Sequence, residues 1–122
     1  MTKVQLLNLI RTESRIVWDT LNRMYPKLSR YPRPEIRLNP YCWRTAGMCY
    51  QEWNEIELSF KFFDKHPAEM IQTVLPHELI HQVDWNLYGI SEDKSGHGIN
   101  WMQIMVDYGL PPERYHSMKV KR

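Results

Sequence analysis

Residues 74 to 85 read VLPHELIHQVDW, with His77 and His81 four positions apart and Glu78 directly after the first. On an α-helix that spacing puts both imidazoles on one face, one turn apart. Both can then reach a single ion at about 2.1 Å. Glu78 is turned by about 100° from His77. It is therefore displaced from the ligand direction but able to lean over the coordination position left for water. There a carboxylate can take a proton and later hand it to a leaving amine. A buried helix without a metal has little use for three such groups, because each needs a partner once it leaves water. The pattern is HExxH, and the chemistry it can do is metal-assisted hydrolysis.

A hydrolytic zinc site has three protein ligands and one open position, so the chain should supply another. The candidates are His66, His97, His116, Glu92 and Asp93. His66 comes before the helix start, where a surface or capping role is simplest, and Glu92 and Asp93 fall in the polar loop SEDKSG, where solvation is simplest. His97 stands out. It is flanked by glycines in SGHGINW and precedes a helix that would hold it against the HExxH helix. A histidine six positions after His81, as in the metzincin spacing, is absent because residue 87 is Leu.

Three helices and three strands can be drawn to position these groups. In VQLLNLIRTESRIVWDTLNRMY, Leu6, Ile10, Val17, Leu21 and Met24 make one helical stripe, closed by Pro26. EIRLN alternates as a strand, and TAGMCYQ with EIELSF around EWN predicts a hairpin. The active-site helix runs from Pro67, suited to a first turn, to a cap at Gly89. Pro76 inside it predicts a kink or a fresh start just ahead of His77. The last helix, INWMQIMVDYG, puts Trp101, Ile104, Met105 and Tyr108 on one face and stops at Gly109.

With 122 residues and 43% hydrophobic content the chain is the size of one domain with a single core. The formal charge of +2 permits contact with phosphates without demanding it. No apolar run approaches the roughly 20 residues of a membrane span, and the first residues lack the apolar centre of a signal peptide. The expected setting is intracellular, in the cytoplasm or at the nucleoid or nucleus, with a virus-encoded protein in a host cell also compatible, and the expected state is a monomer. Cys42 and Cys49 are too few for a disulfide scaffold and read as reduced, partly buried thiols.

LPHELIHQ, a loop, and then GHGINWMQIM resemble the SprT-like (Spartan-type) metalloprotease family, and the likeness extends back to YPRPEIRLN, the AG of TAGMCYQ and EIELS. The resemblance implies an α+β, zincin-like domain: an N-terminal helix, a three-stranded mostly antiparallel sheet, the HExxH helix and a third helix after the ligand loop. It implies Zn2+ held by His77, His81 and His97, with Glu78 as catalytic acid and base. Trp101 would be structural, packing under the third ligand's loop. It also implies a protein substrate bound or crosslinked to DNA, with DNA, single-stranded or damaged, as a second partner. Many family members continue into a C-terminal zinc ribbon; this sequence ends at SMKVKR, which reads as a catalytic core spanning residues 1–122. DNA contacts would then fall to Arg30, Arg33, Arg37 and Arg44 or to Lys119, Lys121 and Arg122, with Tyr31, Tyr41, Trp43 or Trp53 stacking on bases, although solvated charges and rim aromatics are the simpler reading. Tyr115 and His116 are placed by sequence where they could steady an oxyanion. Two rivals use the same residues: a zinc peptidase with a regulatory, DNA-independent substrate, and a catalytically silent DNA-binding adaptor. The second fits poorly with Glu78, because a purely structural zinc site is usually closed by a fourth protein ligand.

Overall fold

The computed structural model describes residues 1–42, 44–91 and 93–113. Trp43, Glu92, Tyr115, His116, Lys119, Lys121 and Arg122 lie outside the described residues. Four α-helices and a three-stranded mixed sheet make one small α+β domain: α1 (Lys3–Met24), β1 (Glu35–Asn39), β2 (Gly47–Tyr50), β3 (Glu55–Ser59), α2 (Phe60–Lys65), α3 (Pro67–Tyr88) and α4 (Ile99–Tyr108). Short 3₁₀ turns follow α1 and join β2 to β3.

Helix α1 begins in a capping box, with Gln5 N–H donating to Thr2 Oγ1 at 3.1 Å and Thr2 N–H donating to Gln5 Oε1 at 2.9 Å. Its stripe of Leu6, Ile10, Val17 and Leu21 is buried, with Ser14 and Trp18 added, and it packs on α3 and β1. Pro26 opens the following 3₁₀ turn, as a residue without an N–H should. Six-residue α2 is absent from the sequence reading. It is too short to show a period; its signal is Ser59, whose Oγ accepts from Phe62 N–H at 3.3 Å ahead of the buried pair Phe62 and Phe63.

The strand order is β1-β3-β2, with β1 parallel and β2 antiparallel to β3. Register sets Ile36 beside Ile56 and Leu38 beside Leu58, all buried under the helices. The opposite face is polar. There Arg37 donates to Glu55 Oε2 at 2.6 Å and to Glu57 Oε1 at 3.2 Å, and lies 5.3 Å over the Tyr50 ring.

Helix α3 runs without a break through Pro76. The missing donor leaves the carbonyl of Gln72 without its helical partner, and Gln72 is an exposed position where water can serve it. No fresh start occurs ahead of His77. Every residue from Val74 to Asp84 is buried, as expected of a helix surrounded by α1, β2, β3 and α4. Among the described residues no helix is long and apolar enough to cross a membrane.

The β2–β3 hairpin turns on Asn54, which has φ 54° and whose Nδ2 donates to the carbonyls of Pro32 and Arg33, both at 3.2 Å. This pins the segment before β1 to the hairpin. Asn54→Ala should cost about 2 kcal/mol in chemical denaturation, since it loses both bonds and is strained in the left-handed region, while Asn54→Gly should recover the backbone part alone. An alanine variant as stable as the wild type would remove Asn54 from this role.

Candidate metal centre

His77 and His81 project from the middle of α3, and His97 comes from the loop between α3 and α4. The loop leaves α3 at Gly89 (φ 76°) and turns again at Gly96 (φ 78°), immediately before His97. A side chain in that left-handed region would be strained, which explains the glycine. The three imidazoles each bring one ring nitrogen to within 4.8 Å of the other two. His81 Nε2 and His97 Nε2 are 3.1 Å apart. Two nitrogens bound to one tetrahedral zinc at about 2.05 Å would lie about 3.3 Å apart, so the observed spacing fits a metal ion.

Trp101, the first buried residue of α4, forms the floor. Its ring stacks on His81 at 5.2 Å with an interplanar angle of 20° and meets His77 at 4.9 Å and His97 at 4.6 Å edge to face. It is fully buried, as a packing role requires.

Glu78 is 6% exposed and presents Oε2 4.0 Å from His77 Nε2, close to the triad but displaced from it. Burial pushes its carboxyl up to about 8. A cation among the three imidazoles would favour the ionised form and offset that penalty. The donor set, the spacing and this buried acid together suit a divalent metal.

Strand β2 borders Glu78 from the side and is tied to α3 further along through Gln82. Strand β2 lies along α3 so closely that a Cβ on Gly47 would sit 3.0 Å from Glu78 Cγ, 3.0 Å from Leu58 Cδ2 and 3.1 Å from Val74 Cγ1. At the other end of β2, Gln82 is 1% exposed and its Nε2 donates to the Gln51 carbonyl at 3.1 Å and to Asn86 Oδ1 at 2.9 Å. Cys49 Sγ donates to Gln82 Oε1 at 3.5 Å. Burial first, and then the charge of Glu78, push the Cys49 thiol far up, so it is a poor nucleophile. Sequence reading missed Gln82. Its signal was the spacing of Glu78, Gln82 and Asn86 by four, a polar line on one face of an otherwise apolar helix.

The other candidates are not brought together here. His66 stands between α2 and α3 with no side-chain cap bond, and Asp93 is linked to His97 through the Ser95 hydroxyl. His116 and Glu92 lie outside the described residues.

A small α+β domain with an internal triad of imidazoles on a buried helix and the loop behind it defines a protein with a histidine metal-site architecture. The SprT-like family model matches residues 15–116, and the chain belongs to that family. It is 34% identical over 77 residues to Protein SprT of Actinobacillus succinogenes, a match covering 62% of this chain and 44% of that protein. It is 36% identical over 76 residues to Protein SprT of Pasteurella multocida, covering 62% and 44%. With Protein SprT of Escherichia fergusonii it shares 31% over 111 residues, covering 88% and 64%. The chain thus spans about half the length of the curated relatives it matches. No solved structure is matched by the chain.

The contact at Gly47 is testable without any assay of function. Gly47→Ala should lower stability by about 1–3 kcal/mol, because its methyl meets buried side chains that have no room to retreat. Equal denaturation midpoints for variant and wild type would show that β2 does not approach α3 this closely.

Proposed function

We propose that the chain is a zinc-dependent endopeptidase in which His77, His81 and His97 hold the metal and Glu78 is the catalytic acid and base. The observation that carries this reading is the three-imidazole cluster with a buried carboxylate 4.0 Å from one of its rings. Zinc in such a site supplies Lewis-acid polarisation of a peptide carbonyl and a more acidic water. The protein's own groups do the rest. Glu78 Oε2 faces the triad and can accept a proton there, then return it to the departing amine nitrogen. Burial keeps that carboxylate out of bulk water and its basicity high. Trp101 closes the site from below and holds the three rings in place. All three imidazoles come from one chain, so a monomer has a complete site.

The substrate we propose is protein bound or crosslinked to DNA, inside the cell, on the strength of the family resemblance and of one surface. Arg30, Tyr31 and Arg33 are exposed, and the Asn54 bonds tie this segment to the hairpin that carries Trp53, which is 75% exposed. Cations beside an exposed indole suit a single strand, with phosphates on the arginines and bases on the ring. Arg37 does not belong to this surface, since Glu55 and Glu57 already neutralise it. That pairing also favours the rival reading, a peptidase whose substrate is independent of DNA.

Glu78→Gln should keep its fold and about one zinc per chain while cleavage falls on the order of 10²–10⁴-fold, because the amide cannot accept the proton. Loss of His77, His81 or His97 should lower zinc occupancy instead. Unchanged turnover in Glu78→Gln would take Glu78 out of the mechanism.

Single-stranded DNA should accelerate cleavage of a DNA-binding substrate, and the gain should shrink as salt rises from about 50 to 200 mM. Arg33→Ala with Trp53→Ala should remove the stimulation and leave zinc content intact. Equal rates with and without DNA would decide for the rival reading.

A further inference from the structure

The loop that delivers His97 is organised around one carboxylate. Asp93 Oδ1 accepts two hydrogen bonds from Ser95, from its N–H at 2.9 Å and from its hydroxyl at 2.8 Å. The Asp93 carbonyl accepts from Gly96 N–H at 2.9 Å, and Ser91 Oγ accepts from Asp93 N–H at 3.2 Å. Ser95 Oγ in turn lies 3.0 Å from His97 Nδ1. A continuous chain therefore runs from carboxylate through hydroxyl to the ring whose other nitrogen faces His81.

We propose that Asp93, acting through the Ser95 hydroxyl, is a positioning residue that fixes His97 in the tautomer whose Nε2 lone pair faces the metal. The proposal rests on the reading of His97 as a metal ligand. Its argument is one of hydrogen-bond direction. An ionised carboxylate only accepts, so at 2.8 Å the Ser95 hydroxyl must spend its one proton on Asp93. What Ser95 Oγ then offers His97 is lone pairs alone. His97 Nδ1 must be the donor, and in a neutral imidazole that leaves Nε2 as the acceptor. The second bond from Ser95 N–H to the same Oδ1 holds the serine in place, so the hydroxyl has little freedom to reverse.

The arrangement also restrains the ring. His97 is only half-buried and sits on a loop that has positive-φ glycines at its start, Gly89, and immediately before it, Gly96, whereas His77 and His81 are held by a buried helix. It is the ligand most in need of an outside partner. Outer partners of metal-binding histidines orient the ring and raise its basicity, and losing one weakens metal affinity by about 10–100-fold.

Ser95→Ala isolates the link, because residue 95 keeps the N–H that holds the Asp93 turn while the hydroxyl is lost. Zinc affinity of the full chain, measured by competition with a chromophoric chelator, should weaken about 10-fold or more in Ser95→Ala and return close to wild type in Ser95→Thr. Imidazole nitrogen shifts read by NMR on zinc-stripped protein should show His97 in one tautomer in the wild type and in a mixture in Ser95→Ala, a change that mere loosening of the fold would not single out. Ser95→Ala binding zinc within twofold of wild type, while His97→Ala loses it, would overturn the proposal and leave the ligand set standing. Unchanged affinity in His97→Ala as well would overturn the ligand reading itself, and this proposal with it.

Discussion

The constraint on which the structure depends is the burial of α3 on nearly every side from Val74 to Asp84 with polar groups at its centre. His77, Glu78, His81, Gln82 and Asp84 are each under a tenth exposed, a density of polar side chains that a core tolerates only if most have partners. The surrounding elements answer part of that need. Strand β2 and its turn take Gln82, α4 provides the ring under the histidines, and the loop behind α3 returns His97 to His81. The apolar remainder of the helix, including Leu75, Leu79, Ile80 and Val83, does the ordinary work of a core against α1 and the sheet. Function and folding therefore compete for one helix, and the neighbours are arranged to satisfy both.

That competition explains which parts of the fold were legible. The α1 stripe, the Pro67 start and the stops at Gly89 and Gly109 follow from side-chain period and from residues with restricted or unusual backbone freedom, so they can be read locally. The parallel pairing of β1 with β3 cannot. EIRLN and EIELS show alternation, but which neighbour each takes depends on the long link between them and on the helix that covers both. Of the two outcomes Pro76 predicts, a kink or a fresh start, the fresh start does not occur: packing on every side of α3 keeps the helix continuous, and an exposed Gln72 lessens the cost. The likeness to the SprT-like family, shown by the match over residues 15–116, added what period alone could not.

The site was legible to a similar depth. The two helical histidines follow from spacing, and His97 from its glycines and its position before a helix; the structure brings the three together. Less visible were the groups one layer out. Gln82 looks like an ordinary helix residue until β2 is seen beside it, and Asp93, read as solvated, is tied to a histidine four residues on through a serine. No helical or strand period connects residues 93, 95 and 97. Their relation exists only in the turn that Gly96 permits.

In the proposed site, the two ways of holding a ligand differ in what they cost. On α3, rigidity comes from packing, which also forces Glu78 into a medium where its charge is disfavoured. In the loop, rigidity comes from hydrogen bonds to exposed or half-buried groups, each weakened by competing water but none burying a charge. In the proposed site the helix would therefore supply two ligands and a buried acid, while the third ligand would come from a loop ordered by its own hydrogen bonds. In the proposed reading, the group that transfers protons is thus fixed by core packing, and the third ligand by hydrogen bonds within its own loop.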